Sequence, residues 1–269
     1  MNNIISIEDL SFKYGEKVIF DRFNLAIKEN SFTTLVGLNG SGKTTLVKIL
    51  VGLVKANGYI KVADNVLMKE TKKNVRRDIG VVFENPDNQF VAETVKDDLA
   101  FALENLCYSK REIGSKIKEI AKKFKIEHIL EKEPHLLSGG EKQIVALASS
   151  LITDPKILIL DEALTMVDYE IKERIYEIIK EYRKDHNLTV INITHDSEEM
   201  LRGDYIAIMS NGKIVVNDLT KTVLKREKLL DNLGIKLPFV VDLSYKLMFY
   251  GLIDDIILDE VEMVNTLWK

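Results

Sequence analysis

The sequence predicts an α/β fold in which helices cover a mixed sheet and an antiparallel β layer precedes it. Two short, nearly continuous apolar runs, residues 157–160 and 189–193, are typical of buried parallel strands. Between them, residues 170–183 carry apolar side chains at helical spacing, as in a doubly wound sheet. With 269 residues, 46% of them hydrophobic, the chain is long enough for one large domain and an appendage.

The first predicted elements are two antiparallel strands. Residues 4–12 and 18–27 alternate apolar and polar side chains, and Tyr14-Gly15-Glu16-Lys17 predicts the turn between them. A compact strand at residues 32–36 then passes through glycines into residues 44–53, where apolar side chains recur at helical spacing. The order strand, loop, helix is the one that phosphate-binding loops require.

The middle and the end of the chain are predicted to be mostly helical. Residues 91–130 form an amphipathic pattern, which indicates a helical subdomain of about residues 88–150 inserted between strands. Two further strands flank the turn Asn211-Gly212-Lys213. We therefore expect a nucleotide-binding domain at residues 1–219 and a small helical appendage at 220–269, a candidate dimer contact.

Composition excludes several classes of protein. The net charge of -4 argues against a large nucleic-acid interface. The longest stretch without charge, residues 30–42, is shorter than the roughly 18 apolar residues of a spanning helix. Met1-Asn2-Asn3-Ile4 lacks a secretory signal pattern, so we expect a cytoplasmic location. The single cysteine, Cys107, excludes an internal disulfide and is expected to be a buried, reduced thiol.

One motif has a direct chemical interpretation. Gly37-Leu38-Asn39-Gly40-Ser41-Gly42-Lys43-Thr44 matches the phosphate-loop pattern and lies between a predicted strand and a helix N-terminus. Backbone N–H groups of such a loop surround phosphates, the Lys43 ammonium reaches the outer phosphates, and Thr44 offers its hydroxyl to Mg²⁺. With Thr45, these residues predict a P-loop NTPase that binds MgATP; a mere glycine-rich turn is the weaker alternative.

Acidic and imidazole groups follow the next strands. Asp161 and Glu162 come directly after a buried apolar run, at the sheet edge where ligands collect. We expect Asp161 to serve the metal and Glu162 to orient or deprotonate the attacking water, although a capped turn has the same pattern. His195 follows the next strand and is a candidate contact to the γ-phosphate, or a structural histidine. Tyr14 is a candidate for stacking on adenine, or an aromatic residue of the core or of a turn.

Three further motifs resemble those of ATP-binding cassette (ABC) ATPases. The run Leu137-Ser138-Gly139-Gly140-Glu141-Lys142-Gln143 resembles the signature of that family and opens an apolar helical stretch. Val82-Phe83-Glu84-Asn85-Pro86 falls where the family has its Q-loop, and Thr165-Met166-Val167-Asp168 falls at its D-loop. The resemblance covers residues 4–216.

Within ABC ATPases the chain is similar to the ATPases of energy-coupling-factor (cobalt-type) importers. The similarity rests on the run 85–91, on Asp97-Asp98-Leu99-Ala100-Phe101, and on Glu104-Asn105. In the tail, Leu237-Pro238-Phe239-Val240 and the closing Asn265-Thr266-Leu267-Trp268 resemble the C-terminal domain of one of that family's two ATPase types.

This resemblance implies an ATPase that pairs head to tail with a second ABC ATPase, so that Ser138, Gly139, Gly140 and Glu141 face the nucleotide of the partner. It also implies a transmembrane scaffold subunit, a substrate-binding membrane subunit, uptake of a vitamin or transition-metal ion, and a peripheral position on the cytoplasmic face of the cell membrane. The second ATPase is expected to be a paralogue in a heterodimer, although the sequence itself leaves a homodimer open. No nucleic-acid partner is implied.

Two substitutions depart from the family pattern. Glu84 stands where Gln is usual and remains a candidate Mg²⁺ ligand. Glu141 replaces the usual Gln of the signature. Two alternatives follow for the function: a weakly hydrolytic regulatory partner ATPase, or a soluble ATP-gated clamp on nucleic acid or the ribosome. The clamp usually needs coiled-coil arms or two cassettes, which this sequence lacks.

Overall fold

The computed structural model describes residues 2–268, which form two β-sheets and surrounding helices. The strands are β1 (Asn3–Tyr14), β2 (Lys17–Lys28), β3 (Phe32–Val36), β4 (Asn57–Val62), β5 (Asn65–Val66), β6 (Ile79–Phe83), β7 (Ile157–Asp161), β8 (Thr189–Thr194), β9 (Tyr205–Ser210) and β10 (Lys213–Leu219). The α-helices are α1 (Lys43–Leu50), α2 (Lys72–Asp78), α3 (Val95–Glu104), α4 (Lys110–Phe124), α5 (Gly139–Leu151), α6 (Tyr169–His186), α7 (Thr220–Leu224), α8 (Glu227–Asn232), α9 (Phe239–Phe249) and α10 (Glu260–Leu267).

The larger sheet is mixed, which confirms the predicted fold class. Its strand order is β10-β9-β3-β8-β7-β6, with parallel neighbours except for the antiparallel pair β9 and β10. The register pairs Val36 with Thr194 and Asp161 with Ile193. Strands β3, β7 and β8 therefore end at one edge of the sheet, and the loops that follow them meet there.

The smaller sheet is antiparallel, with strand order β2-β1-β4-β5. It confirms the predicted β layer, although β1 and β2 are longer than the alternating pattern indicated. Strands β4, β5 and β6 and helix α2 were not predicted. Strand β6 contains Gly80, although glycine is uncommon within strands. Helix α5 approaches the strand closely at this point, since a Cβ on Gly80 would lie 2.5 Å from the carbonyl oxygen of Ser150.

Helices α3, α4 and α5 share one apolar cluster with residues of β6, β7 and α6, and the division of the chain into domains stays a prediction. Leu99, Leu103 and Phe124 are fully buried in this cluster. A capping box between Ser109 and Glu112 starts α4, because each side chain bonds the backbone N–H of the other residue. The expectation of a buried Cys107 is wrong: this thiol is exposed, at the left-handed turn (φ 62°) that follows α3.

The tail packs against the larger sheet. Val36, Ile206 and Ile208 of the sheet share one apolar cluster with residues of α7 to α9 and of the segments around them, among them Leu224 and Val241. Within residues 2–268, no helix combines the length and the hydropathy needed to cross a membrane.

Candidate functional site

The phosphate loop lies between β3 and α1, and the two sheets hold it from both sides. Gly37 allows no side chain, because a Cβ there would lie 2.3 Å from the carbonyl oxygen of Met209 in β9. Gly42 has a φ of 110° and lies against Phe20 of β2, at 3.0 Å from the position a Cβ would take. Glycine is required at both positions for these reasons.

The lysine of the loop points back along it. Lys43 Nζ donates to the carbonyl oxygens of Gly37 (2.6 Å) and Leu38 (3.3 Å), and Glu162 Oε1 lies 3.8 Å away. Burial lowers the pKa of Lys43, and the charges of Glu162 and Asp161 oppose that effect. The ammonium is thus held inside the loop between backbone oxygens and a carboxylate.

Two further loop residues can bind an anion and its counter-ion. Ser41 Oγ is buried and has no hydrogen-bond partner in residues 2–268, so its hydroxyl can still donate to a phosphate oxygen. Thr44 is exposed at the start of α1, and its hydroxyl donates to Asp161 Oδ1 at 3.4 Å. Thr45 is half-buried in the same turn, whereas Leu38, Asn39 and Gly40 are exposed at the tip of the loop.

The acidic pair lies beside this loop, as the sequence predicted. Asp161 ends β7 and is 4% exposed. Burial raises its pKa, the charges of Glu162 and Glu84 raise it further, and the Thr44 hydrogen bond and the charge of Lys43 oppose them. A buried carboxylate with this excess of negative charge around it is suited to a cation.

Glu162 occupies the centre of the site. Its φ of 55° is unusual for a residue with a side chain, and its N–H donates to the carbonyl oxygen of Ile193 (2.9 Å), which fixes this turn after β7. The carboxylate, 14% exposed, has Oε1 near Lys43, while Oε2 accepts from Thr165 Oγ1 (3.3 Å) and lies 2.5 Å from His195 Nδ1. With Glu162 ionised, Nδ1 is the donor of that contact.

His195 therefore lies in the site and not in the core. Its side chain is 51% exposed, in the loop after β8. Glu84 is exposed after β6, and no hydrogen bond or ion pair of the described residues joins it to Asp161. Phe83, the last residue of β6, pairs with Asp161 in β7, so Glu84 follows beside Asp161 at the same edge of the sheet, where its charge raises the pKa of Asp161.

The residues fit a magnesium ion that is shared with phosphate oxygens. The described part of the chain has no group of three or more His, Cys, Asp or Glu residues arranged to hold a metal alone. Mg²⁺ usually takes one or two carboxylates, water and substrate phosphates, and does not need such a group. The oxygen donors present are the Thr44 hydroxyl and the carboxylates of Asp161 and Glu84.

The signature residues form a separate surface at the start of α5. Ser138 and Glu141 make a capping box in which the N–H and the hydroxyl of Ser138 both donate to Glu141 Oε2 at 2.8 Å. These two bonds lower the pKa of Glu141. Among residues 2–268, no hydrogen bond or ion pair joins the signature to the phosphate loop.

The structure also locates the remaining candidates. Asp168 caps α6, where its Oδ1 accepts from the N–H of Ile171 at 3.1 Å. Tyr14 is not in a loop, as was expected, but is the last residue of β1, paired with Lys17. The residue is 45% exposed, and its ring meets Phe12 edge to face. Stacking of Tyr14 on adenine stays a prediction.

The contacts that join the Q-loop segment to α5 were not predicted, because they link residues far apart in the sequence. The side chain of Gln89 accepts from the N–H of Phe83 (2.9 Å) and donates to Val81, which secures the end of β6. Lys142 Nζ lies 2.7 Å from Asp87 Oδ1, and Gln143 Nε2 donates to the carbonyl oxygen of Phe83 (3.2 Å). Residues 83–89 and the signature helix are thus bonded together.

The family model described as "ABC transporter" matches residues 20–165, more than half of the chain. The chain belongs to the ABC transporter family. The matched span contains the phosphate loop, the signature and the acidic pair Asp161 and Glu162, whereas Asp168 and His195 lie beyond it. As an ABC ATPase, the protein binds ATP.

Similarity to individual proteins identifies the branch of the ABC transporter family to which the chain belongs. The chain is 40% identical over 256 residues to the energy-coupling factor transporter ATP-binding protein EcfA of Pediococcus pentosaceus, covering 94% of this chain and 91% of that protein. It is 39% identical to EcfA1 of Bacillus subtilis, covering 99% and 97%. The solved structure of CbiO1 from Clostridium perfringens, described as part of the ABC transporter complex CbiONQ, matches with a TM-score of 0.77 and 29% identity, covering 90% and 99%. The chain therefore belongs to the energy-coupling factor ATP-binding proteins of this family.

Proposed function

We propose that the protein hydrolyses ATP at a composite site and thereby powers an energy-coupling-factor importer from the cytoplasmic face of the membrane. The single observation that carries the chemistry is Glu162, whose carboxylate lies between Lys43 and His195 beside the phosphate loop. Each of its two oxygens contacts a different group, so the carboxylate is held in one orientation.

In the proposed mechanism, the N–H groups of residues 37–45 and the Ser41 hydroxyl hold the phosphates, with Lys43 as the cationic group. Glu162 accepts a proton from the attacking water, and His195 orients the carboxylate through Nδ1. Thr44, Asp161 and Glu84 are the residues that would hold Mg²⁺. That ion supplies charge neutralisation and alignment of the phosphate oxygens.

The site is proposed to be completed by a second ATPase. In a head-to-tail pair, Ser138, Gly139, Gly140 and Glu141 of one chain face the nucleotide on the other, and Asp168 lies beside the shared interface. The separation of the signature from the phosphate loop within one chain supports this arrangement. We propose a paralogue as partner, together with a transmembrane scaffold and a substrate-binding membrane subunit. A vitamin or a transition-metal ion is the proposed cargo.

The hydrolysis is tested with Glu162→Gln in the assembled protein. This change keeps the volume of the side chain and removes the proton acceptor. We expect kcat to fall by about 10² to 10⁴, the range typical of a general base, while the affinity for ATP is retained. Glu177→Gln, an exposed position on α6, is the matched control.

A second variant separates binding from chemistry. Lys43→Ala removes the cationic group inside the loop, so both the affinity for ATP and the turnover should fall. Turnover by Glu162→Gln equal to that of the unchanged protein would refute the assigned base. Copurification from membranes followed by identification of the bound subunits tests the proposed partners; recovery without any membrane protein would contradict them.

A further inference from the structure

The start of α6 carries one candidate residue of the site and contacts two other parts of it. Asp168 caps the helix. Ile171 lies against Gly140 of the signature, since its Cδ1 is 2.0 Å from the position that a Cβ on Gly140 would take. Lys172 Nζ forms ion pairs with Asp196 Oδ2 (2.9 Å) and Glu199 Oε1 (2.6 Å), in the segment that follows His195.

The Asp196 carboxylate fixes this segment at both of its oxygens. Oδ1 accepts from the N–H of Glu198 at 3.0 Å, within the segment itself, and Oδ2 accepts from Lys172. The N–H of Asp196 donates to Thr194 Oγ1, also at 3.0 Å, at the end of β8. The backbone around His195 is thereby connected to α6 through one ammonium group.

Glu199 supplies a second attachment, and it is more deeply buried. The side chain of Glu199 is 5% exposed and that of Lys172 is 16% exposed. The other oxygen of Glu199, Oε2, accepts from Asn192 Nδ2 at 2.8 Å in β8. Burial lowers the pKa of Lys172, but the hydrogen bonds and charges of Glu199 and Asp196 outweigh it and raise the pKa overall.

Lys172 is the one cation that forms an ion pair with Asp196 or Glu199 among the described residues. Arg202, three residues after Glu199, pairs instead with Glu173 of α6, so its guanidinium is already engaged. Without the Lys172 ammonium, the carboxylates of Asp196 and Glu199 would face α6 without a cation. The carboxylate of Glu199 is buried, so the backbone would have to move to let water reach it. His195 directly precedes Asp196 and would move with it.

We propose that Lys172 is a positioning residue, which holds the segment 195–199 on α6 so that His195 stays against Glu162. Because α6 also contacts the signature and carries Asp168, this ion pair keeps both halves of the composite site in one fixed relation. The inference rests on the proposed ATP hydrolysis and adds a residue that acts through His195 without touching the nucleotide.

The experiment compares Lys172→Met with Lys172→Arg in the assembled ATPase. Methionine keeps an unbranched side chain one atom shorter than that of lysine and removes the charge, whereas arginine keeps the charge. We expect kcat of Lys172→Met to fall by about tenfold with KM for ATP within about threefold, and Lys172→Arg to recover most of the loss. Lys180→Met is the matched control, an exposed lysine on the same helix without an ion pair to any described residue.

A double variant distinguishes positioning from simple stabilisation of the fold. If Lys172 acts through His195, Lys172→Met should add no further loss to the residual turnover of His195→Ala. An equal tenfold loss in both backgrounds, or an unchanged kcat in Lys172→Met, would overturn the inference. Should Lys172→Met fail to fold, Asp196→Asn, which keeps a hydrogen-bond acceptor and removes one charge, is measured in the same two backgrounds.

Different measurements would refute the proposed function itself. These are a lack of turnover in the unchanged assembly, or full activity of Glu162→Gln. Either outcome would also remove the basis of the Lys172 proposal. Normal behaviour of those two proteins together with an unaffected Lys172→Met would refute the positioning role alone.

Discussion

Replacing Gly140 with alanine is expected to destabilise the protein through a contact with α6. The new Cβ would lie 2.0 Å from Ile171 Cδ1 and 3.3 Å from both Cγ atoms of that side chain. Ordinary contacts between carbon atoms are about 3.5 to 4 Å, so Cδ1 must move by roughly 1.5 Å or more. Overpacking in a core costs about 1 to 3 kcal/mol, and the lower part of that range, about 1 to 2 kcal/mol, applies here because Cδ1 is the end of a half-buried side chain that can rotate away.

Helix propensity has a smaller effect of the opposite sign. Alanine is favoured over glycine within a helix by about 0.5 to 1 kcal/mol, and by less in the first turn, where Gly140 lies. The net loss of unfolding free energy is therefore about 0.5 to 1.5 kcal/mol. Urea denaturation followed by circular dichroism measures it.

The neighbouring glycine and a second substitution make the prediction specific. A Cβ on Gly139 would meet no described atom within 4 Å, so Gly139→Ala should leave the stability unchanged. Ile171→Val removes only Cδ1; it should cost about 0.5 kcal/mol alone but restore stability in the Gly140→Ala background. If Ile171→Val destabilises both backgrounds equally, the steric argument is refuted. Loss of ATPase activity in Gly139→Ala at unchanged stability would support the contact with the partner nucleotide.

Three further predictions concern the core, a charged contact and the phosphate loop. Phe124→Ala should lower the unfolding free energy by about 3 to 5 kcal/mol, because this ring is fully buried; a change below about 1 kcal/mol in urea denaturation would contradict it. Burial alone would raise the pKa of Asp154, but bonds from Lys116 and Tyr182 outweigh it and lower the pKa. Its stabilising effect is thus present above the unfolded pKa and lost as pH falls through the folded one, so Asp154→Asn should cost about 1 kcal/mol at pH 7 and progressively less as the pH is lowered through the folded pKa. A cost that does not change with pH would show that charge is not the cause. Gly42→Ala should weaken ATP binding at least about tenfold, measured by calorimetry, because the φ of 110° excludes alanine; unchanged affinity would disprove this.

Local sequence patterns were sufficient to predict the strands and loops that carry the candidate site. The strand Phe32–Val36 was predicted with the bounds that the structure has, because five buried residues are followed directly by the glycines of the loop. Because the carboxyl ends of parallel strands lie at one edge of a sheet, the sequence also predicted that Lys43, Glu162 and His195 lie at the same edge. Glu162, Lys43 and His195 do meet there.

Other features depend on contacts between distant residues and have no local pattern. Strand β6 was missed because its Gly80 is explained only by the approach of α5, seventy residues later in the chain. The Lys172 contacts with Asp196 and Glu199 look like ordinary surface charges in the sequence. Cys107 was expected to be buried from the helical segments around it, but the chain turns at that residue and the thiol faces solvent.

The apolar cluster in which residues after 219 cover one face of the larger sheet affects how the chain can fold while it is being translated. Val36 precedes the phosphate loop directly, yet residues that cover its face of the sheet, such as Leu224 and Val241, are translated about two hundred positions later. A nascent chain that already contains every residue of the proposed site still exposes this apolar face. We therefore expect premature termination near residue 219 to give a product that chaperones retain or proteases degrade, and not a shorter working ATPase.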